Sequence, residues 1–378
     1  LFLYYNSDSE SYTEVRSLTT FYRGLCYWIN IKVPPIILVE NASTPEDTKE
    51  QLFSLSLKPG WNQIGNPYPF TISWDAVKAA NTNIGVLKTF NGTGWVPDDK
   101  LNSFEGGFVS LSGTANVAVE IPFTAKTTSG RTKDEILDFE GGWVLPLTIE
   151  DSKFQTIGGV GMHPEAMMSL DPYDDAIPPK IFDLPEISFA HDEPFIRNFT
   201  RDVVPPQNEF TWNFTVHSAD EPAVLKWDVN RARSLAHDVY LFNEQEQTLI
   251  NMAEEDYCRI PPQQTSSFNI YYGVPREDIK PTRIQLGKPY PNPVTDRSNV
   301  TFTLPENQLG AYKVLLEVYD NLGRKVATVA RGEFTSGFYT GEWVPEPGML
   351  NASLYLHRLT VSDRNSNIIL TEKIITKK

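Results

Sequence analysis

Three aspartates in the run Asp171-Pro172-Tyr173-Asp174-Asp175-Ala176 come nearest, by type and spacing, to a site that could do chemistry. Carboxylates three and four positions apart in an irregular loop can converge on a hard cation, and extracellular calcium would suit Asp171, Asp174 and Asp175. Such a site takes about six oxygens, and no Asp-x-Asp-x-Asp-Gly spacing supplies the remainder, so a solvated acidic loop is the competing reading. No other cofactor is implied. The five histidines, His163, His191, His217, His237 and His357, are scattered, and none pairs with another at helical spacing. His237 and Asp238 look like a base beside an acid, but adjacent residues of a strand point to opposite faces. No His-Glu-x-x-His, Gly-x-Ser-x-Gly, phosphate-binding loop or dinucleotide fingerprint occurs, and the chain reads as non-catalytic. Trp61, Trp95 and Trp143 would form a sugar-stacking platform if exposed on one face. In small sandwiches such rings more often fill the core.

The elements that must position these residues are short strands. With 28 prolines, 23 glycines and 12% aromatic residues in 378, helices are interrupted and pleated surfaces favoured. The expected class is mainly β, with tandem β-sandwich domains of immunoglobulin-like or jelly-roll-like form and one short helix. A formal net charge of −15 argues against nucleic acid, which requires clustered Lys and Arg. No 18-residue apolar run offers a membrane span. The chain begins at Leu1 without Met inside a strand-like run, which reads as a processed product or fragment with further sequence upstream. Cys26 and Cys258 are too few to staple a scaffold; two buried free thiols are expected, with a long-range disulfide as the alternative.

Four regions are expected: residues 1–46 as the end of a β-rich module, 47–130 as a module with the helix, 131–275 as a sandwich, and 276–378 as a terminal module. Residues 35–39 read as a strand. Leu57 to Pro67 reads as strand, turn, strand, turn, and Ser73 is placed to cap a helix over 75–80, with Asp75 in its first turn. Asn91-Gly92 between Val86–Phe90 and Trp95-Val96 signals a tight hairpin. Two Gly-Gly-aromatic runs, at Gly106-Gly107-Phe108 and Gly141-Gly142-Trp143, mark strands that another backbone approaches closely. Polar residues 126–135 read as a linker. Gly142 to Ile149 alternates as a strand, Ile157 to Gly161 reads as a short glycine-rich strand end, and the Pro- and Asp-rich interval 162–206 reads as a crossing segment without a core of its own.

The terminal module has the most legible pattern. Tyr290-Pro291-Asn292-Pro293 must be an extended lead-in, since its prolines remove donors. Val314, Leu316 and Val318 share one face of a strand that ends at Tyr319-Asp320, and Gly323-Arg324 turns the chain back. Gly337, Gly341 and Trp343 mark another strand; Tyr355 to Leu359 and Ile368 to Ile375 finish the module before Lys378. This order of motifs resembles the C-terminal sorting domain of proteins exported by the type IX secretion system, over about a quarter of the chain. Ser353 stands where that family usually has Gly. The resemblance implies an immunoglobulin-like sandwich, similar to that of flagellar hook-capping proteins, that is recognised by the export machinery at the outer membrane of a Gram-negative bacterium. It implies a sorting signature at Tyr290, Pro291, Asn292, Pro293, Tyr319, Asp320, Gly323, Arg324, Tyr355, Arg358 and Lys378. Arg324 and Arg358 would present donors, Gly323 would permit the turn, Tyr319 and Tyr355 would fix core or rim, and His357 would be a packing or edge residue.

The function expected from this is that of a secreted or cell-surface structural or adhesive protein, assembling into a layer or filament through self-association or other surface proteins, with exposed sheet edges as contact points. Two alternatives remain at this stage: the accessory and sorting region of a larger secreted hydrolase, and a carbohydrate-binding module using Trp95 and Trp143.

Overall fold

The computed structural model describes residues 2–15, 21–29, 52–123, 141–193, 195–196, 198–307, 310–346, 349, 353–363 and 367–376. The strand expected at 35–39, the linker expected at 126–135 and Lys378 lie outside them. The fold is mainly β, with several sheets and, among the described residues, two short helices, Trp74–Ala80 and Val229–Ser234. Neither helix is long and apolar enough to cross a membrane. The second helix was not expected: Val229-Asn230-Arg231-Ala232-Arg233-Ser234 buries only Ala232, so it carries no apolar stripe to read. The chain divides into two compact units that interleave along the sequence.

The first unit comprises Leu1–Pro206, Phe214–Asp228 and Tyr257–Thr265. One of its sheets orders Gly60–Gly65, Gly106–Leu111, Leu87–Phe90 and Trp95–Asp98, all antiparallel. Beneath it, Leu57, Ile64, Leu87, Val109, Val119 and Ile121 form a core with Trp74 and Val77 of the first helix. Ser73 occupies the N-cap position but makes no side-chain cap bond. The Asp99 carbonyl instead accepts the Trp74 N–H at 2.8 Å, satisfying one orphan donor of the first turn. The hairpin expected at Asn91-Gly92 is present. Phe90 pairs with Trp95, leaving four loop residues, and Asn91 Oδ1 accepts from the Thr93 N–H, Thr93 Oγ1 and the Gly94 N–H.

A second sheet in this unit places Trp143–Glu150 between Gln155–Met162 and Ala223–Trp227, with Tyr257–Ile260 beyond. Gln155–Met162 pairs in parallel with Asn198–Val204, which also carries Glu186–Ala190 and the short Asp175–Ala176 strand. Two expectations need correction here. The glycine-rich run is an inner strand, and a Cβ on Gly158 would lie 1.9 Å from the Thr200 carbonyl oxygen, so glycine is what lets the two backbones meet. The interval 162–206 does not merely cross the fold, because it supplies three strands of that sheet, with Ile187, Phe189, Phe199 and Val203 buried. Gly142 does meet a close backbone, as expected: a Cβ there would sit 2.6 Å from the Met162 carbonyl oxygen.

The second unit comprises Gln207–Asn213, Val229–Asp256 and Ser266–Lys378. Val239–Asn243 pairs with Thr248–Asn251 and with residues 268–272. Buried Gln247 then bonds forward, its Oε1 accepting the Thr282 N–H at 2.7 Å while its Nε2 donates to Thr282 Oγ1 at 2.9 Å. The rest is a sandwich. Gln285–Leu286, Ser298–Leu304 and Gly337–Trp343 form one sheet; Lys325–Phe334, Tyr312–Asp320, Leu354–Ser362 and Asn367–Ile375 form the other. Leu286, Val300, Phe302 and Leu304 of the first meet Val314, Leu316, Leu359 and Val361 of the second in one core. The shared face of Val314, Leu316 and Val318 is thus the buried one.

Candidate functional site

The terminal sandwich holds the residues expected to form a sorting signature, and several of them act on one another. Tyr290 exchanges two backbone hydrogen bonds with Asn299, each 2.8 Å. Pro291, Asn292 and Pro293 are exposed, while Val294 is buried. Asn292 lashes this lead-in to the final strand: its Oδ1 accepts the Ile375 N–H at 2.9 Å and its Nδ2 donates to the Lys373 carbonyl at 3.2 Å. The Val294 N–H adds a bond to the Ile375 carbonyl at 2.8 Å. Ser353, where the resemblance leads one to expect glycine, meets Thr376 through its backbone carbonyl and through its N–H to the Thr376 hydroxyl.

Asp320 builds the next turn. Its Oδ1 accepts the Leu322 and Arg324 N–H groups at 3.0 and 2.9 Å, and its Oδ2 receives Arg324 Nε at 2.8 Å. The backbone bond from Arg324, then its guanidinium, hold the Asp320 carboxyl below its usual range. Gly323 takes φ +77°, which the reversal requires. Arg324 remains 74% exposed despite its pairing. Arg358 lies 4.8 Å over the Tyr319 ring, and the Tyr319 hydroxyl donates to Glu317 Oε2 at 2.6 Å. Tyr355 is buried against Trp343. His357 is a packing residue, fully buried, edge-on to Trp343, with neither ring nitrogen bonded among the described residues. Burial pushes it down to about 4.

The acidic loop of the first unit is organised differently from the cation site expected. Asp171 Oδ1 and Oδ2 accept the Tyr173 and Met167 N–H groups at 2.7 and 2.6 Å. Asp174 accepts the Val203 N–H at 3.0 Å and the Asp171 N–H at 3.1 Å. Burial raises Asp174 to about 7, helped by the charges of Asp171 and Asp202. Asp175 turns away to Lys88, 2.5 Å distant, with side-chain exposures of 16% and 5%. The three carboxylates therefore do not converge, and among the described residues no trio of His, Cys, Asp or Glu is arranged to hold a metal. Amides of Met167, Asp171, Tyr173 and Val203 occupy oxygens of Asp171 and Asp174 that a cation would need, and Lys88 takes Asp175.

Lys88 and Arg201 are the residues that sequence reading missed here. Burial would push the Asp175 carboxyl up, but the Lys88 and Arg201 cations and the Thr200 hydroxyl hold it ionised. Burial, and then Arg201, draw Lys88 down. A lysine at one position of Leu87-Lys88-Thr89-Phe90 gives no sign that it faces a carboxylate 87 residues later. His191 lies 3.4 Å from Asp202, whose hydrogen bond raises it. His237 and Asp238 precede their strand, and the His237 ring meets the edge of Tyr272.

The tryptophans do not make a flat row. Trp95 meets Trp28, Phe90 and Phe108 edge to face, and Trp61 is buried against Phe108 in the same cluster. Trp143 opens a strand of the other sheet, paired with Met162. The cavity beside Trp95, lined also by Lys88, Asp175, Glu186 and Thr200, measures about 30 Å³, room for water but not for a sugar ring. Cys26 and Cys258 are partly buried and do not form a disulfide with each other, and burial raises the Cys26 thiol. Compared with known proteins, the chain matches no family model and no curated sequence.

Proposed function

We propose that this chain is a secreted or cell-surface structural protein of a Gram-negative bacterium, carried out by the type IX route through its terminal module. Its upstream β-rich regions serve adhesion or assembly as rigid spacers and contact surfaces, without catalysis. The observation that carries this reading is the ordered series Tyr290-Pro291-Asn292-Pro293, Tyr319-Asp320, Gly323-Arg324, Tyr355 and Arg358, set in a two-sheet sandwich. Its exposed members, Tyr290, Pro291, Asn292, Pro293, Gly323 and Arg324, lie where a recognition partner can reach them. The test is expression of the full chain in a type IX-competent host and in the same host lacking the exporter. The chain should be accessible to added protease on competent cells and protected in deficient ones. Equal protection in both, with the host's own substrates exported normally, overturns the proposal.

A further inference from the structure

The two ends of the four-stranded sheet differ in how they meet solvent. Lys325–Phe334 carries Lys325, Arg331 and Glu333, and its pairing with Tyr312–Asp320 breaks register at Leu316/Glu317 and Val318/Tyr319. Charges and bulges of this kind keep an edge from pairing with another chain. Asn367–Ile375 has neither bulge nor proline. It keeps an unbroken register with Leu354–Ser362, and among the described residues the sheet ends there.

Part of that edge is already used. The Ile375 N–H and carbonyl and the Lys373 carbonyl face outward to Asn292 and Val294. Because backbone groups alternate sides along a strand, the N–H and carbonyl groups of Thr371, Ile369 and Asn367 face outward too. Beside them, the Ile368 and Ile369 side chains are 36% and 53% exposed. An outward row of backbone donors and acceptors flanked by apolar side chains is a template for one more strand.

We propose that this strand pairs with the same strand of a second copy, antiparallel about a two-fold axis through Ile369. That register sets Ile369 opposite Ile369, Ile368 opposite Leu370 and Asn367 opposite Thr371, apolar against apolar and polar against polar. Moving the axis to Leu370 sets Ile368 against the charged Glu372 and Ile369 against Thr371; moving it to Ile368 sets Asn367 against Ile369. Only the first register is self-complementary, as an isologous contact requires. Each outward pair exchanges two hydrogen bonds, and the lead-in tied down by Asn292 limits the contact to the free half of the edge. This inference rests on the assembly reading above and names its partner.

Sedimentation equilibrium of the full chain across a concentration series tests it. A reversible dimer is expected, and Ile369→Lys should weaken it by at least about tenfold. Ile369→Pro removes a donor that points out of the sheet, so it should dissociate the dimer without costing an internal ladder bond. Circular dichroism checks that both variants remain folded. In a Cys26→Ser, Cys258→Ser background, Ile369→Cys should cross-link copies under mild oxidation, because the Cα separation of a hydrogen-bonded antiparallel pair, about 5.5 Å, suits a disulfide. Asn367→Cys in the same background should not. A chain that stays monomeric throughout overturns the pairing, as does a dimer indifferent to Ile369→Lys or one that cross-links as well through Asn367→Cys. Export is measured separately, so failure here is distinguishable from failure of the sorting reading.

Discussion

The terminal sandwich and the polar cluster beside Asn198–Val204 both bury titratable groups, by opposite means. His357 is buried edge-on to Trp343, with no hydrogen-bond partner for either nitrogen among the described residues, and burial lowers its affinity for protons. Lys88, Asp175 and Arg201 share charge, while Asp174 next to them keeps its proton to about 7. One region tolerates a base only while it is neutral; the other holds charges only while they are matched. The difference teaches that burial alone does not set a pH response. What matters is whether the buried group has an opposite charge within reach.

Breaking the match should have the largest effect. Asp175→Ala removes the carboxylate that buried Lys88 pairs with, and should lower the stability of the first unit by about 3–5 kcal/mol in urea unfolding. Combining Lys88→Met with Asp175→Leu should recover much of that loss. An undiminished loss in the double variant would show that the cost lies in packing and not in charge.

Asp174 should impose a slope of one sign. Its folded carboxyl titrates at about 7 against 3.8 for the ordinary value, so the fold binds the proton more tightly than the unfolded chain. The stability is present below 3.8 and lost as pH rises through about 7, by up to about 4 kcal/mol. Asp174→Asn should flatten that slope, read by amide hydrogen exchange in Asn198–Val204. His357 should impose the other sign. Its folded value of about 4 lies below the ordinary 6.5, so stability is complete above 6.5 and falls as pH drops toward 4, by about 3 kcal/mol. Hydrogen exchange in Leu354–Ser362 should therefore accelerate on acidification in the natural chain and much less in His357→Phe. Glu372, opposite His357 in the strand register, is the control: Glu372→Gln should leave the His357 response in place. The smallest effect is expected at the turn, where Asp320→Ala removes two amide acceptors and the Arg324 pair and should lower the melting temperature slightly.

The terminal module was legible because its rules are local. Alternation at Val314, Leu316 and Val318, a glycine at the turn and prolines in the lead-in each constrain their own neighbourhood, and the structure uses them so. What the sequence hid was long-range. Gly158 and Gly159 look like a strand end until Thr200 and Leu145 arrive beside them. Asp171, Asp174 and Asp175 look alike in the sequence, yet two of them cap amides of their own loop and the third meets Lys88 from another sheet. Strands inside 162–206 were missed because proline and aspartate dominate the interval, although Ile187, Phe189, Phe199 and Val203 mark its buried positions. The interleaving of the two units follows from pairings such as Gln247 with Thr282, which no local pattern records.

The most direct measurement of the central claim is transfer of the terminal module to another protein. Residues 276–378, appended to a reporter that otherwise stays in the periplasm, should carry it to the surface or medium of a type IX-competent host. A reporter left in the periplasm while the host's own substrates leave normally would contradict the account.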